Sequence, residues 1–267
     1  MSKYQLGIVG GGNMAEAIVR GVIVKKYVSP GAIVVCEPVE ARRQAIAAMG
    51  VAVAGDNAAI ADCSRVLLAV KPQKMAEAMG QIAAAVQEDA TVISIAAGVT
   101  TAAIDRQLGG RGHIVRVMPN TPMLVGEGMS ALAAGPRATA HDLDWARGMF
   151  AACGMAVVVD EPMIDAVTAV SGSGPAYFFY LVEAMIAAGV AEGLDADVAR
   201  TLAVQTCVGA GKLMAQSAEA PEVLRARVTS PNGTTQRAIE TMETRAVKEA
   251  IVAAVRAAAD RSRELGK

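Results

Sequence analysis

The sequence predicts an α/β Rossmann-type N-terminal domain followed by an all-α C-terminal domain, and three observations carry that prediction. From Gln5 to about residue 160, short β-branched runs alternate with Ala-rich helical stretches, the order of βαβ units around a mostly parallel sheet. The first run enters a glycine turn, Gly10-Gly11-Gly12-Asn13-Met14-Ala15, that opens directly into a helical pattern. Beyond Asp160 the strand signals stop and only helical patterns remain. The expected boundary therefore lies between residues 162 and 163, giving domains 1–162 and 163–267.

Taken in order, strands are expected at 6–9, 33–36, 65–69, 91–95, 114–118, 129–132 and 156–159. The first of these are continuous apolar runs, as strands buried on both faces require. Helices are expected between them, at 15–24, 40–48 and 74–86 among others, and then at 175–192, 197–216, 220–228, 234–241 and 245–265. Hydrophobic residues make up 53% of the chain but aromatic residues only 3%. The core must then be built from aliphatic side chains and the 14 Met, which favours close helix packing. Residues 176–190 are apolar on more than one face, more than a small helical domain can cover by itself. An intertwined homodimer is the simplest remedy.

The formal net charge of -1 and the lack of any long block of like charge exclude a field that would gather nucleic acid or an anionic membrane. Cys36, Cys63, Cys153 and Cys207 are far apart, with no CxxC pair and no neighbouring His. They read as reduced thiols, three or four of them buried, and no metal site is expected. The segment 1–4 has no leader pattern, and the longest apolar stretches are interrupted by Gly, Pro or charge. The expected compartment is the cytoplasm.

In the glycine turn, Gly10 permits the tight bend, Gly12 lets backbone N–H groups approach a pyrophosphate, and Ala15 keeps helix and sheet close. The phosphates would lie at the positive end of the helix starting near Asn13. The second strand ends about 25 residues on, at Cys36-Glu37, where an adenine ribose is expected. Glu37 suits the ribose 2′-hydroxyl of NAD, whereas Arg42 and Arg43 suit the 2′-phosphate of NADP or else merely flank a solvated helix. Three further loops follow strands at the same sheet edge: 69–72, 96–99 and 118–122.

Two segments of the helical half have more local character than helix packing demands. Ser171-Gly172-Ser173-Gly174-Pro175 reads as a helix start with Pro at the first helical position. Thr229-Ser230-Pro231-Asn232-Gly233-Thr234-Thr235 is a turn ahead of a helix, with hydroxyls and free N–H groups able to hold a carboxylate.

Together, residues 10–18, 69–72, 94–99, 116–122, 170–183 and 230–235 resemble pyrroline-5-carboxylate reductase, in order and over nearly the whole chain. The resemblance implies hydride transfer from NADP(H), with NAD(H) as the lesser choice, to 1-pyrroline-5-carboxylate, giving L-proline. It also implies a homodimer, with rings of dimers such as a decamer. Carried over by position, cofactor contacts fall on Gly10, Gly12, Asn13, Met14, Ala15, Asn57, Ala69, Val70, Lys71, Pro72, Ala97 and Gly98. Substrate contacts fall on Ser230, Gly233, Thr234 and Thr235, offered by the partner subunit, and on Asn120. Asn232 stands where the family commonly has Gly, and Cys36-Glu37 where Ser or Thr is often seen.

On this reading the Thr235 hydroxyl hydrogen-bonds the imine nitrogen, as proton donor or as orienting group. His113 and His141 sit in unpromising contexts, the latter in a helix start capped by Thr139 and Asp142. Two rivals remain open. A 3-hydroxyacid dehydrogenase shares the plan, but residues 175–180 lack its Lys and Lys212 lies far along the chain. A non-enzymatic dinucleotide-binding protein would have no need of the turn at 230–235.

Overall fold

The computed structural model describes residues 2–266. Its first apolar run is strand β1 (Leu6–Val9), followed by helix α1 (Asn13–Val24), β2 (Ile33–Cys36) and α2 (Glu40–Ala47). Next come β3 (Ala52–Ala54), β4 (Arg65–Leu68), α3 (Met75–Ile82), β5 (Thr91–Ser94), α4 (Thr101–Gln107) and β6 (His113–Met118). The sheet ends with β7 (Gly128–Ala134), α5 (Ala140–Ala151) and β8 (Gly154–Val158). Strand order is β3-β2-β1-β4-β5-β6-β7-β8. All neighbours are parallel except β6 with β7, so the expected mostly parallel sheet is present and its first six strands have Rossmann order.

Adjacent residues along the inner strands point to opposite faces, as the two-residue period of a strand demands. Ile8, Val35, Leu67, Ile93 and Val115 join one buried cluster with α1 and α5, including Ile18, Val22 and Phe150. Val9, Val34, Leu68, Val92 and Ile114 join the other, against Met75, Met79, Ile82 and Ile104 of α3 and α4. Strand β3 is the one strand the sequence reading did not find. Ala52-Val53-Ala54 is only three residues long and half-buried, too short to show a period.

The chain's contacts divide it into two compact units, one running up to Ser173 and resuming at Ala258, the other Gly174–Ala257. The first therefore extends past the expected limit at 162. A polar anchor holds the chain to the sheet just before that limit. Arg116 on β6 is only 4% exposed and pairs with Glu161 at 3.2 Å. The same carboxylate accepts the Thr101 N–H at 2.8 Å and its hydroxyl at 2.6 Å. Removing one partner of such a pair would strand a charge, at a cost of about 3–5 kcal/mol. Helix α6 (Ile164–Val167) follows at once, with Ile164 buried beside Ala131 and Ala133 of β7.

The second unit consists of α7 (Gly174–Ala191), α8 (Ala196–Gln216), α9 (Pro221–Arg227), α10 (Thr234–Thr244) and most of α11 (Val247–Leu265). It buries fully only Gly174, Ala199 and Ala203, while Phe179 is 62% and Tyr180 76% exposed. Residues of this unit thus present the unburied apolar surface that the sequence predicts.

The join before α7 meets one sequence expectation and changes another. Helix α7 begins at Gly174 with Pro175 in its first turn, as expected, and a π turn at Thr168–Gly172 leads into it from α6. Gly172, Gly174 and Pro175 do not interrupt the apolar run. Glu161–Ala191 is one helical stretch of 31 residues whose most apolar 18-residue window has a mean hydropathy of 1.4, long and apolar enough to cross a membrane, with 11% of that window buried. A wide π turn absorbs the irregularity that Pro brings to a helix.

One buried polar cluster ties α5 to the sheet. Asp142, 5% exposed, accepts hydrogen bonds from the Thr139 N–H at 2.9 Å and hydroxyl at 2.6 Å, and from the Thr91 hydroxyl. It also pairs with His113 Nδ1 at 2.9 Å. The Thr139–Asp142 capping box is present as expected. Burial by itself would raise the Asp142 carboxyl, but bonds from Thr139, Thr91 and His113 outweigh it and hold the group below its ordinary value. A depressed folded pKa stabilises above the unfolded value, near pH 4, and that contribution is lost as pH falls through the folded value. Replacing Asp142 by Ala is expected to cost about 2 kcal/mol or more at pH 7, because several buried donors lose their acceptor. Thermal melts of both proteins from pH 7 to pH 3 check this, and the gap between them should narrow only at the acid end.

Candidate functional site

Parallel strands bring their C-terminal ends to one edge, and crossovers leave that edge in opposite directions from β1 and β4. Ligands of open α/β sheets bind at such a switch point. Here a cleft of about 530 Å³ opens there, lined by residues following four strands: Gly10 and Gly12, Glu37 and Pro38, Gly55 to Asn57, and Ala69 to Lys71. Lys74, Glu77, Ala78 and Gln81 of the α3 region close its other side.

The glycine turn is shaped by contacts a side chain would prevent. Gly10 has φ +96°, and a Cβ there would lie 2.9 Å from Val70 Cγ1 and 3.0 Å from the Ala69 carbonyl. Its N–H donates to the Cys36 carbonyl at 2.8 Å. At Gly12 a Cβ would meet no protein atom within 4 Å. Gly12 lines the cleft, so the missing side chain leaves room for a group brought into it. Gly12 is the N-cap of α1, whose first N–H groups have no partner within the helix. Ala15 is fully buried, and Asn13 is exposed on the same first turn.

Beneath this turn lies a network the sequence did not disclose. Glu37, at the end of β2, accepts the Gly11 N–H at 2.7 Å and the Val39 N–H at 2.9 Å. Arg42 donates from Nε and Nη2 to the Gly11 carbonyl at 3.0 and 2.8 Å and also bonds Glu16 Oε2 at 2.9 Å. The hydrogen bond from Arg42, with that from Arg20 and both charges, overcomes desolvation and lowers the Glu16 carboxyl. Arg43 donates to the Glu37 and Pro38 carbonyls at 2.8 and 2.6 Å. Both arginines are thus held by backbone carbonyls, so neither merely flanks a solvated helix.

Of the other sequence-derived candidates, Asn57, Ala69, Val70 and Lys71 line the cleft, whereas Met14, Pro72, Ala97 and Gly98 do not. Asn57 bonds Gln81 across it at 2.7 Å. Gly98 is buried, with φ +76°, in the loop between β5 and α4. Asn120 has a different surrounding. Its Nδ2 donates to the Ser171 carbonyl at 3.1 Å and its Oδ1 accepts the Met129 N–H at 2.8 Å. Pro175 has no N–H for the carbonyl four residues earlier, and Asn120 supplies that missing donor.

In the second unit, Ser230 to Thr235 form a turn into α10. Asn232 has φ +59°, a left-handed conformation that Asn tolerates better than most residues and that Gly adopts freely. Its N–H donates to Gln236 Oε1 at 2.7 Å. Gly233 is the N-cap of α10, and a Cβ there would lie 2.4 Å from Ser230 Oγ. Thr234 and Thr235 begin the helix, Thr234 exposed and Thr235 half-buried, so hydroxyls and unbonded N–H groups share one helix end.

His113 is held by Asp142, and His141 Nε2 lies 3.4 Å from Arg65. Among the described residues no group of three or more His, Cys, Asp or Glu could hold a metal ion. Sequence reasoning missed Gly55, Asp56, Lys74, Glu77, Ala78 and Gln81 of the cleft wall. The first two follow the short strand β3, whose recognition would have placed them.

The family model described as NADP oxidoreductase, coenzyme F420-dependent, matches residues 5–98, and that for pyrroline-5-carboxylate reductase dimerisation matches 161–265. A pyrroline-5-carboxylate reductase of Synechocystis is 44% identical over 99% of both chains, and one of Methanosarcina acetivorans is 41% identical over the whole of both. Among solved structures, a pyrroline-5-carboxylate reductase from Coxiella burnetii has a TM-score of 0.93 at 35% identity, covering 99% of both chains. A pyrroline carboxylate reductase from Plasmodium falciparum with NADP bound has a TM-score of 0.88 at 28% identity, covering both chains completely. By descent over its full length and by fold, the chain belongs to the pyrroline-5-carboxylate reductase family.

Proposed function

We propose that this protein reduces 1-pyrroline-5-carboxylate to L-proline, with a nicotinamide dinucleotide held in the cleft at the β1–β4 strand ends and NADPH preferred to NADH. The observation that carries the reading is the pairing, in one chain that matches the family from end to end, of that glycine-lined cleft with the donor-rich turn at Ser230–Thr235. The residues present fit a dinucleotide: Gly12 leaves space beside the α1 N-terminus, where backbone N–H groups and helix dipole favour a pyrophosphate. Gly10, Gly12, Asn13, Met14 and Ala15 would hold it there, with Asn57, the Ala69–Pro72 loop, Ala97 and Gly98 along its length. When bound, that group supplies a hydride to C5 of the cyclic imine.

The protein's own task is to orient the imine, exclude water and deliver a proton to the ring nitrogen as the C=N double bond becomes single. Ser230, Gly233 and Thr234 would hold the substrate carboxylate through the hydroxyls and the α10 N–H groups. Thr235 would hydrogen-bond the nitrogen. Asn120 enters this reading as a brace of the segment before α7, since both ends of its amide are engaged. The exposed apolar residues of α7 and α8 support a homodimer in which each copy's turn serves its partner's cleft. The resemblance supports assembly of such dimers into a ring such as a decamer. Burial raises the thiols of Cys36 and Cys153 to about 11 and of Cys63 to about 12, so they stay protonated, which suits the reducing cytoplasm.

Purified protein is expected to oxidise NADPH in the presence of 1-pyrroline-5-carboxylate, and NADH more slowly; no turnover with either would overturn the reading. Thr235→Ala should lower kcat by about 10² while Thr235→Ser retains most of it; wild-type kcat and KM in the Ala variant would remove Thr235 from the site. Glu37 brings a negative charge to the end of β2, near the expected position of a 2′-phosphate. Glu37→Gln is therefore expected to raise the NADPH to NADH ratio of kcat/KM by about tenfold, roughly 1.4 kcal/mol; an unchanged ratio would exclude Glu37 from cofactor choice. Phe179→Glu should give a monomer with little activity, read by sedimentation and by the same assay.

A further inference from the structure

Residues 258–266 return to the first unit and meet one loop of it. Ser262 is 4% exposed, and its hydroxyl donates to Asp165 Oδ1 on α6 at 2.6 Å. Ala259, one turn earlier, is also buried. These contacts bring the end of α11 against Gly98. A Cβ at Gly98 would lie 3.0 Å from the Leu265 carbonyl oxygen and 3.1 Å from Leu265 Cβ, and one at Gly266 would lie 3.1 Å from the Gly98 carbonyl. Two backbones therefore touch, with no side chain between them.

The loop so touched is held at both ends by other means. On the β5 side the Ala96 N–H donates to Ser94 Oγ at 3.3 Å. On the α4 side Thr101 is bonded to Glu161 through both its N–H and its hydroxyl. Its middle, at Gly98, has φ +76°, and Leu265 braces it there. Asp165 and Glu161 lie on the same short stretch, so the brace and the α4 end of the loop share one support.

We propose that the last turns of α11, through Ser262 and Leu265, are a positioning element of the dinucleotide site that sets the Ala96–Gly98 loop at its working distance from the cofactor. The inference rests on the proposed function, in which Ala97 and Gly98 meet the cofactor. Ser262 and Leu265 act through that loop and touch no reacting atom. Small displacements of a positioning group cost binding or rate disproportionately.

The test uses the full chain, Ser262→Ala, Ser262→Thr, and a chain stopped after Glu264. NADPH binding is measured by fluorescence titration without substrate, beside steady-state kinetics with 1-pyrroline-5-carboxylate. Ser262→Ala and the shortened chain are expected to raise the NADPH Kd and KM by about fivefold or more, as a displaced positioning group would. In both, kcat and the KM for the imine should stay within about twofold, and Ser262→Thr should restore NADPH binding. Should Ser262→Ala fail to fold, the shortened chain decides, since Leu265 and Gly266 are exposed. Unchanged NADPH affinity in every folded variant overturns the proposal, as does an equal loss in kcat and both KM values. If the wild-type chain binds NADPH but does not reduce the imine, the assigned reaction fails while the titrations still judge the brace.

Discussion

At the end of β2 one carboxylate holds two backbone donors: Glu37 takes the N–H of Gly11 and the N–H of Val39. From the other side Arg42 takes the Gly11 carbonyl and ties it to Glu16 on α1. Gly11 is thus gripped at both its N–H and its C=O, and the turn from β1 into α1 has little freedom left. The cleft depends on this grip. Gly10 must pass close to Ala69 and Val70, Gly12 must stand clear, and the α1 N-terminus must face the strand ends. Charge-assisted hydrogen bonds are the stronger kind, and these lie at the sheet edge where the backbone has no ladder partners.

The same economy of means appears in the second half of the sheet. Asp142 joins α5 to β5 and β6 through Thr91 and His113, and Glu161 joins Arg116 of β6 to the start of α4. Asp142 and Arg116 are each buried with a partner, and the carboxylates of Asp142 and Glu161 accept further hydrogen bonds, the condition under which burial is tolerated. Glu161 has a second consequence, because it fixes the chain to the sheet just before α6. The π turn at Thr168–Gly172 then carries the chain towards α7, with Asn120 supplying the donor that Pro175 lacks.

Much of the fold was legible in local pattern. Leu6 to Val9 and Ile33 to Cys36 are all apolar and all buried, and the Gly10, Gly12 and Ala15 spacing put turn, clearance and helix contact where the structure has them. The Thr139–Asp142 cap was legible for the same reason, since its partners lie three residues apart. Strand β3 was not, because three residues carry no period. Glu37 and Arg42 were visible only as opposing candidates for one ribose. That they both serve Gly11, 26 and 31 residues away, is a contact between distant segments.

The sequence by itself determined the two-part architecture, the dinucleotide turn, the apolar excess of the helical half and, through its spaced motifs, the family. Periodicity, turn chemistry and motif order are local properties, and each is written within a few residues. Only the tertiary structure decided what Asn120 braces, that Asn232 takes the left-handed conformation, and that the end of α11 comes back to Gly98. Those outcomes depend on which distant backbone groups are left without partners once the sheet has formed, and no local pattern encodes that.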